Sequence, residues 1–322
     1  MKKPLIILTG PTAVGKTALS IELAKAVGGE IISADSMQVY RHMDVGSAKV
    51  TPEEMQGVPH HLIDVLDPDE DFNVTRFQSM AKEVMEGIYA RGHVPVIAGG
   101  TGFYIQALLY DIDFKANDDS PAIREELERI GEEKGSRYLH EMLREVDPES
   151  ADTIHANNRK RVIRAIEYYR MTGQKISEHN KEEHDKESPY RFYYYVLNCD
   201  RALLYERIDQ RVDIMLESGL VDEVAMLKNM GCKRGMVSMQ GLGYKEILDY
   251  LDGNCTLEEA VYILKRDTRH FAKRQITWFK RERDVRWLEL ENFGGSRRKV
   301  LEYILEDYYK GENTENGTGS DV

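Results

Sequence analysis

The octapeptide Gly10-Pro11-Thr12-Ala13-Val14-Gly15-Lys16-Thr17 constrains this chain more than any other stretch. It fits the pattern G-x-x-x-x-G-K-[ST] of a phosphate-binding loop, and its flanks are those the pattern needs. Leu5-Ile6-Ile7-Leu8 ahead of it is an unbroken apolar run, suited to a strand buried on both faces of a parallel sheet. Behind it Leu19, Leu23 and Ala26 recur at helical spacing until Gly28-Gly29 stops the run. The loop glycines let the backbone curl so that successive N–H groups face a diphosphate. Lys16 and the helix amino terminus add positive charge. Gly10 to Thr17 are therefore the expected diphosphate- or nucleotide-binding residues, with Lys16 catalytic and the Thr17 hydroxyl the expected ligand of a Mg²⁺ cofactor.

Further strands are predicted at residues 30–33 and 94–98, and the strand–turn–helix rhythm is that of a parallel α/β sheet. The later strand closes on Gly99-Gly100-Thr101-Gly102, where nucleotide hydrolases carry an acidic residue that organises Mg²⁺. A loop that grips a diphosphate without driving a motor or switch fits that sequence. Ligands of parallel sheets sit at the carboxyl ends of strands, which puts Asp35, Gln38 and Thr101 on the same crevice as the phosphates. Asp35 has two readings, a turn cap or a general base beside an anionic leaving group. Thr101 likewise caps a helix or donates to a phosphate oxygen.

Charge bears on the partner. The chain has 322 residues with a net charge of −12, yet two basic zones stand out. Arg159, Lys160, Arg161, Arg164 and Arg170 surround a single acid, Glu167. Between Lys265 and Arg286 nine basic residues face three acids, and Arg266, Arg269, Lys273 and Lys280 fall on one helical face. Such segregation on an acidic chain favours a polyanionic partner. Three cysteines without C-x-x-C spacing support neither a disulfide framework nor a cysteine zinc site. With no apolar run of membrane-spanning length and no signal-peptide pattern, a reduced cytoplasmic protein with no membrane partner is expected. His60-His61 read as structural.

The residues also resemble a family. Gly10-Pro-Thr-Ala-x-Gly-Lys-Thr17, Ala34-Asp-Ser-x-Gln-Val-Tyr-Arg41, His60-His-Leu-Ile-Asp64 and Gly99-Gly-Thr-Gly-x-Tyr104 are similar to successive signatures of the tRNA dimethylallyltransferases. The similarity continues at Arg161-Val-Ile-Arg-Ala-Ile-Glu167, Gly241-Leu-Gly-Tyr-Lys-Glu246 and Lys273-Arg-Gln-x-Thr-Trp-Phe279, so it runs from residue 10 to about residue 290. Phe103, where leucine is common, is one departure without a polar role.

The resemblance implies transfer of a dimethylallyl group from dimethylallyl diphosphate to N6 of the tRNA adenosine 3′ of the anticodon. It implies that Asp35 takes the N6 proton, that Thr101 donates to the bridging oxygen, and that Arg211 lies near the diphosphate. The tRNA contacts it implies are Asp35, Ser36, Met37, Gln38 and Thr101, then Arg124, Lys160, Arg161, Val162, Ile163 and Arg164. Gln240, Gly241, Gly243, Tyr244, Lys245, Arg269 and Lys273 complete them, with Gln38 reading the adenine edge. The expected fold is α/β, a P-loop NTPase-like parallel sheet with flanking helices and an inserted all-helical domain. Its bounds are 1–116 and 189–310 for the core, 117–188 for the tRNA-contacting insert and 311–322 for a disordered tail. A monomer is expected. The alternatives are an adenylate isopentenyltransferase acting on free nucleotide and a small-molecule P-loop kinase.

Overall fold

A computed structural model of the chain describes residues 2–114 and 121–317. It divides into two compact units, one formed by 1–108 with 190–322 and the other by 109–189.

The larger unit is built on a six-stranded sheet in which every pairing is parallel. Its strands are β1 (Lys3–Thr9), β2 (Gly29–Ala34), β3 (His60–His61), β4 (Val94–Gly99), β5 (Tyr190–Asn198) and β6 (Val285–Glu289), in the order β3-β2-β4-β1-β5-β6. Leu5, Ile6, Ile7 and Leu8 of central β1 are at most 1% exposed, as a strand covered on both faces requires. Burying each such side chain stabilises the fold by roughly 1.5–3 kcal/mol. Tyr193, Tyr194 and Tyr195 of β5 are buried beside it. Strand β6 is missed by pattern reading, because five residues within a charged stretch give no alternation.

Helix α1 (Lys16–Val27) leaves directly from the phosphate loop and ends where Gly28 turns left-handed and donates its N–H to Ala24 O. Helices α2 (Pro52–Met55), α3 (Val74–Ala90) and α4 (Gly102–Leu109) follow.

The second unit holds α5 (Pro121–Glu133), α6 (Gly135–Val146), α7 (Pro148–Thr153), α8 (Arg159–Thr172) and α9 (Ile176–Asp185). Its core is Leu127, Leu139, Leu143, Ala151, Val162, Ile163, Ala165 and Ile166. Residues 109–113 belong to it because Ser188 Oγ donates to Leu109 O at 2.6 Å and Asp113 N–H to Glu183 Oε2 at 3.0 Å. The unit therefore starts ahead of the expected boundary at 117, which lies outside the described residues.

After β5 the larger unit resumes with α10 (Arg201–Glu217), α11 (Leu220–Asn229), α12 (Tyr244–Leu251), α13 (Leu257–Phe279) and α14 (Arg297–Gly317). Helix α14 corrects the expectation of a disordered tail from residue 311, since it continues to Gly317. The physical reason is tertiary: Arg191 on β5 pairs with Glu312, and the buried Tyr308 ring meets Tyr193 edge-on at 5.1 Å. Residues 318–322 lie outside the described residues. Among the described residues no helix is long and apolar enough to cross a membrane.

Candidate active site

The sheet register brings three strand ends level. Thr9 and Ala34 both pair with Gly99, so β1, β2 and β4 stop together. Thr9 Oγ1 donates to Gly99 O at 2.7 Å and Thr101 N–H donates to Ala34 O at 3.1 Å. The phosphate loop, Asp35 and Thr101 thus open on one crevice, as the βαβ pattern predicts. Gly10 must be glycine: its φ is +148°, and a Cβ there would sit 2.2 Å from Leu197 O on β5. Lys16 Nζ folds back on the loop, donating to Gly10 O at 2.9 Å and Pro11 O at 2.8 Å. Burial and the neighbouring Arg211 lower its pKa to about 7, against the opposing pull of Asp35.

Two chambers fill the crevice. One, about 530 Å³, is lined by the phosphate loop with Lys16 and Thr17, and by Arg207, Arg211 and Arg297. The other, about 490 Å³, mixes Ser36, Met37, Thr101, Gln240 and Lys245 with apolar Phe72, Tyr104, Ile208, Val212 and Met215. Thr12, Asp35, Gly100, Arg211, Phe271 and Gln275 line both. One is rich in basic side chains and the other has a mixed polar and apolar wall.

Asp35 stands where they meet. Its Oδ1 accepts from Met37 N–H at 2.8 Å and from Gln38 N–H at 3.4 Å, so the turn-cap reading holds. The residue also lines both chambers, so the carboxylate of the base reading borders the crevice. Gln38 departs from the expectation of an adenine-edge reader. Its Oε1 accepts from Ser33 Oγ at 2.9 Å, its Nε2 points to Ala48 O at 3.4 Å, and it lines only the chamber of the phosphate loop. In the free chain its amide bridges β2 and residues 47–48.

Comparisons with known proteins place this geometry. The IPP transferase family model matches residues 38–282, and an isopentenyl transferase model matches residues 3–67. A tRNA dimethylallyltransferase of Lachnoclostridium phytofermentans is 60% identical over 302 residues, covering 94% of this chain and 96% of the relative. The chain belongs to the tRNA dimethylallyltransferase family. A relative of the same name from Carboxydothermus hydrogenoformans is 50% identical over 306 residues, covering 95% and 96%. The full-length tRNA isopentenylpyrophosphate transferase of Bacillus halodurans superposes with a TM-score of 0.73 at 43% identity, covering 98% of this chain and 100% of that one. A eukaryotic dimethylallyltransferase captured acting on tRNA gives 0.77 at 31% identity, covering 89% and 74%. The P-loop NTPase-like sheet is thus the fold of the dimethylallyltransferases.

Several residues expected to touch RNA have partners within the chain. Tyr244 is fully buried and donates its hydroxyl to Glu223 Oε1 at 2.8 Å, and Gly243 is buried with its N–H on Glu246 Oε2. Val162 and Ile163 pack in the core of the helical unit. At these four positions side chains or N–H groups have partners within the chain. Gly241 stays at the second chamber, where a Cβ would come 2.6 Å from Met37 Sδ. Within the helical unit, Glu167 is fully buried and accepts from Arg124 Nη2 at 2.8 Å and Arg164 Nη1 at 3.0 Å, which fixes both guanidinium groups. Lys160 and Arg161 are exposed. On α13 the basic stripe is only partly outward: Arg269 pairs with Asp209 at 2.5 Å and Lys265 with Asp213 at 2.6 Å, tying α13 to α10. Lys273 is exposed.

Sequence reasoning missed Gln275, Phe271, Arg207 and Glu223. Gln275 is buried, yet its Oε1 accepts from Thr12 N–H at 2.9 Å and its Nε2 donates to Gly100 O at 2.9 Å. Its signal was available: a glutamine among Ala272, Ile276 and Phe279 on the inward face of an amphipathic helix. Glu223 left none. Its carboxylate accepts from the N–H groups of Asp44, Val45 and Gly46 at 2.8, 2.7 and 3.0 Å, and so holds the loop that edges the second chamber. His61 Nε2 sits 2.6 Å from Glu30 Oε2, consistent with the structural reading of that pair. Arg91, His93 and His61 hold the Glu30 carboxyl at about 2.

Among the described residues no group of three His, Cys, Asp or Glu forms a metal cage. The exposed Thr17 hydroxyl in the first chamber still suits Mg²⁺, which takes one or two protein oxygens and completes its shell with phosphates and water.

Proposed function

We propose that the chain transfers a dimethylallyl group from dimethylallyl diphosphate to N6 of the tRNA adenosine at position 37, just 3′ of the anticodon, and releases diphosphate. The junction of an anion-holding chamber with a partly apolar one, at Asp35 and Arg211, carries this reading. The phosphate loop amides, Lys16 and Arg211 hold the diphosphate, Lys16 exchanging its contacts with Gly10 O and Pro11 O for phosphate oxygens. A Mg²⁺ held at Thr17 would neutralise leaving-group charge when bound. An exocyclic amine is a weak nucleophile, since its lone pair is delocalised into the ring. Asp35 accepts a hydrogen bond from N6 and then its proton as the carbon–nitrogen bond forms. The carbon–oxygen bond breaks, its electrons leave with the diphosphate, and Thr101 and Lys16 meet the developing charge. The target base reaches this depth only when splayed from the anticodon loop.

Cytoplasmic location accords with the free thiols of Cys199, Cys232 and Cys255. Incubation with labelled dimethylallyl diphosphate and bulk tRNA, beside an AMP control, tests the reading. Label should enter tRNA alone, with ATP neither required nor consumed. Label in AMP would make the chain an adenylate isopentenyltransferase, and stoichiometric ATP use would make it a kinase.

A further inference from the structure

We propose that Phe271 sets the length of the prenyl group this enzyme transfers. The inference rests on the prenyltransferase reading and adds a residue that bounds the transferred group. The migrating carbons are bonded first to the diphosphate and then to the amine, so they must occupy the space the two chambers share. Six residues border that space: Thr12, Asp35, Gly100, Arg211, Phe271 and Gln275. Five are polar or lack a side chain. Among the described residues Phe271 is the one large apolar surface there for a five-carbon hydrocarbon to pack against.

Its position is fixed from both sides along the helix. Leu264, Thr268, Phe271 and Gln275 recur at four, three and four, so α13 turns a single stripe toward the second chamber, and all four line it. Gln275, one turn beyond the ring, bonds Thr12 N–H and Gly100 O at 2.9 Å each, which locks the register of that stripe against the phosphate loop. Arg274, which lines the same chamber, places its guanidinium 5.7 Å from the ring centroid and limits the ring's freedom to swing away. The second chamber is also walled by Ile208, Val212, Met215 and Leu264. A second isoprene unit extends from the shared space that Phe271 borders into this chamber, in the space the acceptor base needs.

The test is a competition. Wild-type enzyme, Phe271→Ala and Phe271→Leu are each given equimolar dimethylallyl and geranyl diphosphates with saturating tRNA, and the modified nucleosides are weighed by mass spectrometry. A hydrophobic pocket discriminates by about 10- to 200-fold per methylene. The ten-carbon to five-carbon product ratio should therefore rise at least about tenfold in Phe271→Ala and less in Phe271→Leu. Because the ratio is internal to each reaction, partial loss of folded enzyme cancels, and Phe271→Leu carries the test if Phe271→Ala does not fold. A ratio unchanged from wild type in the folded variants overturns the proposal. Wild-type enzyme that prenylates tRNA from neither donor overturns the prenyltransferase reading instead, which separates the two failures.

Discussion

Gln275 and Thr12 lie 263 residues apart and are joined by a 2.9 Å hydrogen bond from the Thr12 N–H to the Gln275 side-chain oxygen. The other end of the same amide holds Gly100 O, the residue before Thr101. A single buried side chain on α13 thus fixes the spacing between the phosphate loop and the turn that carries Thr101.

Gln275→Ala should therefore do two things. It strands a buried carbonyl and a loop N–H, which costs about 1–3 kcal/mol, and Tm should fall by several degrees. The Michaelis constant for the allylic diphosphate should rise as the loop loses its brace. Gln275→Glu keeps the acceptor for Thr12 but sets a buried carboxylate against Gly100 O and near the phosphates, so its Michaelis constant should rise more and Tm should fall at least as far. Calorimetry beside steady-state kinetics reads both, and a wild-type Michaelis constant in both variants would leave Gln275 a packing residue only.

Lys16→Ala removes a charge-assisted contact worth about 1.5–3 kcal/mol, so kcat/KM for the diphosphate should fall by roughly ten- to hundredfold. Burial and Arg211 lower this ammonium to about 7 in the free enzyme. Its proton is therefore present below that pH and lost above it. A profile of kcat/KM, which reports the free enzyme, should bend downward above pH 7. A flat profile from pH 6 to 9 would show that diphosphate capture does not depend on the charge of Lys16.

Asp35→Asn keeps an oxygen that can accept from Met37 and Gln38 N–H, so the turn after β2 should survive. The base is lost. Single-turnover transfer with both substrates saturating should slow by roughly 10² to 10⁴, with tRNA affinity and Tm close to wild type. Thr101→Ala is the companion variant, losing leaving-group assistance and sparing the base. A near-wild-type rate in Asp35→Asn would falsify the proton-acceptor role.

In the helical unit the buried Glu167 separates two kinds of basic residue. Neutralising exposed Lys160 and Arg161 should weaken tRNA binding and flatten its log–log salt slope by up to about 0.9 per lost phosphate contact, leaving Tm unchanged. Glu167→Gln should lower Tm as well, because it removes the charge that fixes Arg124 and Arg164. Filter binding across a salt series, beside thermal melts, distinguishes them. Identical effects of both changes on Tm would make the whole basic zone structural.

The legible parts of the site were those written in adjacent residues. A β1–loop–α1 unit is local: an apolar run, two glycines at fixed offsets, then helical spacing, and the structure reproduces it within two residues. Asp35 and Thr101 were placed from sequence because each follows its own strand directly, and parallel pairing aligns strand ends. Gln38 follows Asp35 in the same turn, yet it turned away to Ser33 and Ala48, since side-chain partners depend on neighbours that no short pattern records.

The sequence by itself determined a parallel α/β sheet with a phosphate loop at its centre, the strand ends that ring the crevice, and an all-helical insertion. Tertiary structure alone decided which charges stay available. Arg269 looked outward until Asp209 of α10 came within 2.5 Å, and only the fold brings the Tyr244 hydroxyl to Glu223. Backbone conformation follows from sterics and hydrogen bonds among near neighbours, so it can be read along the chain. A buried charge or amide is set by whichever distant group shares its low-dielectric surroundings, and only folding brings that group near.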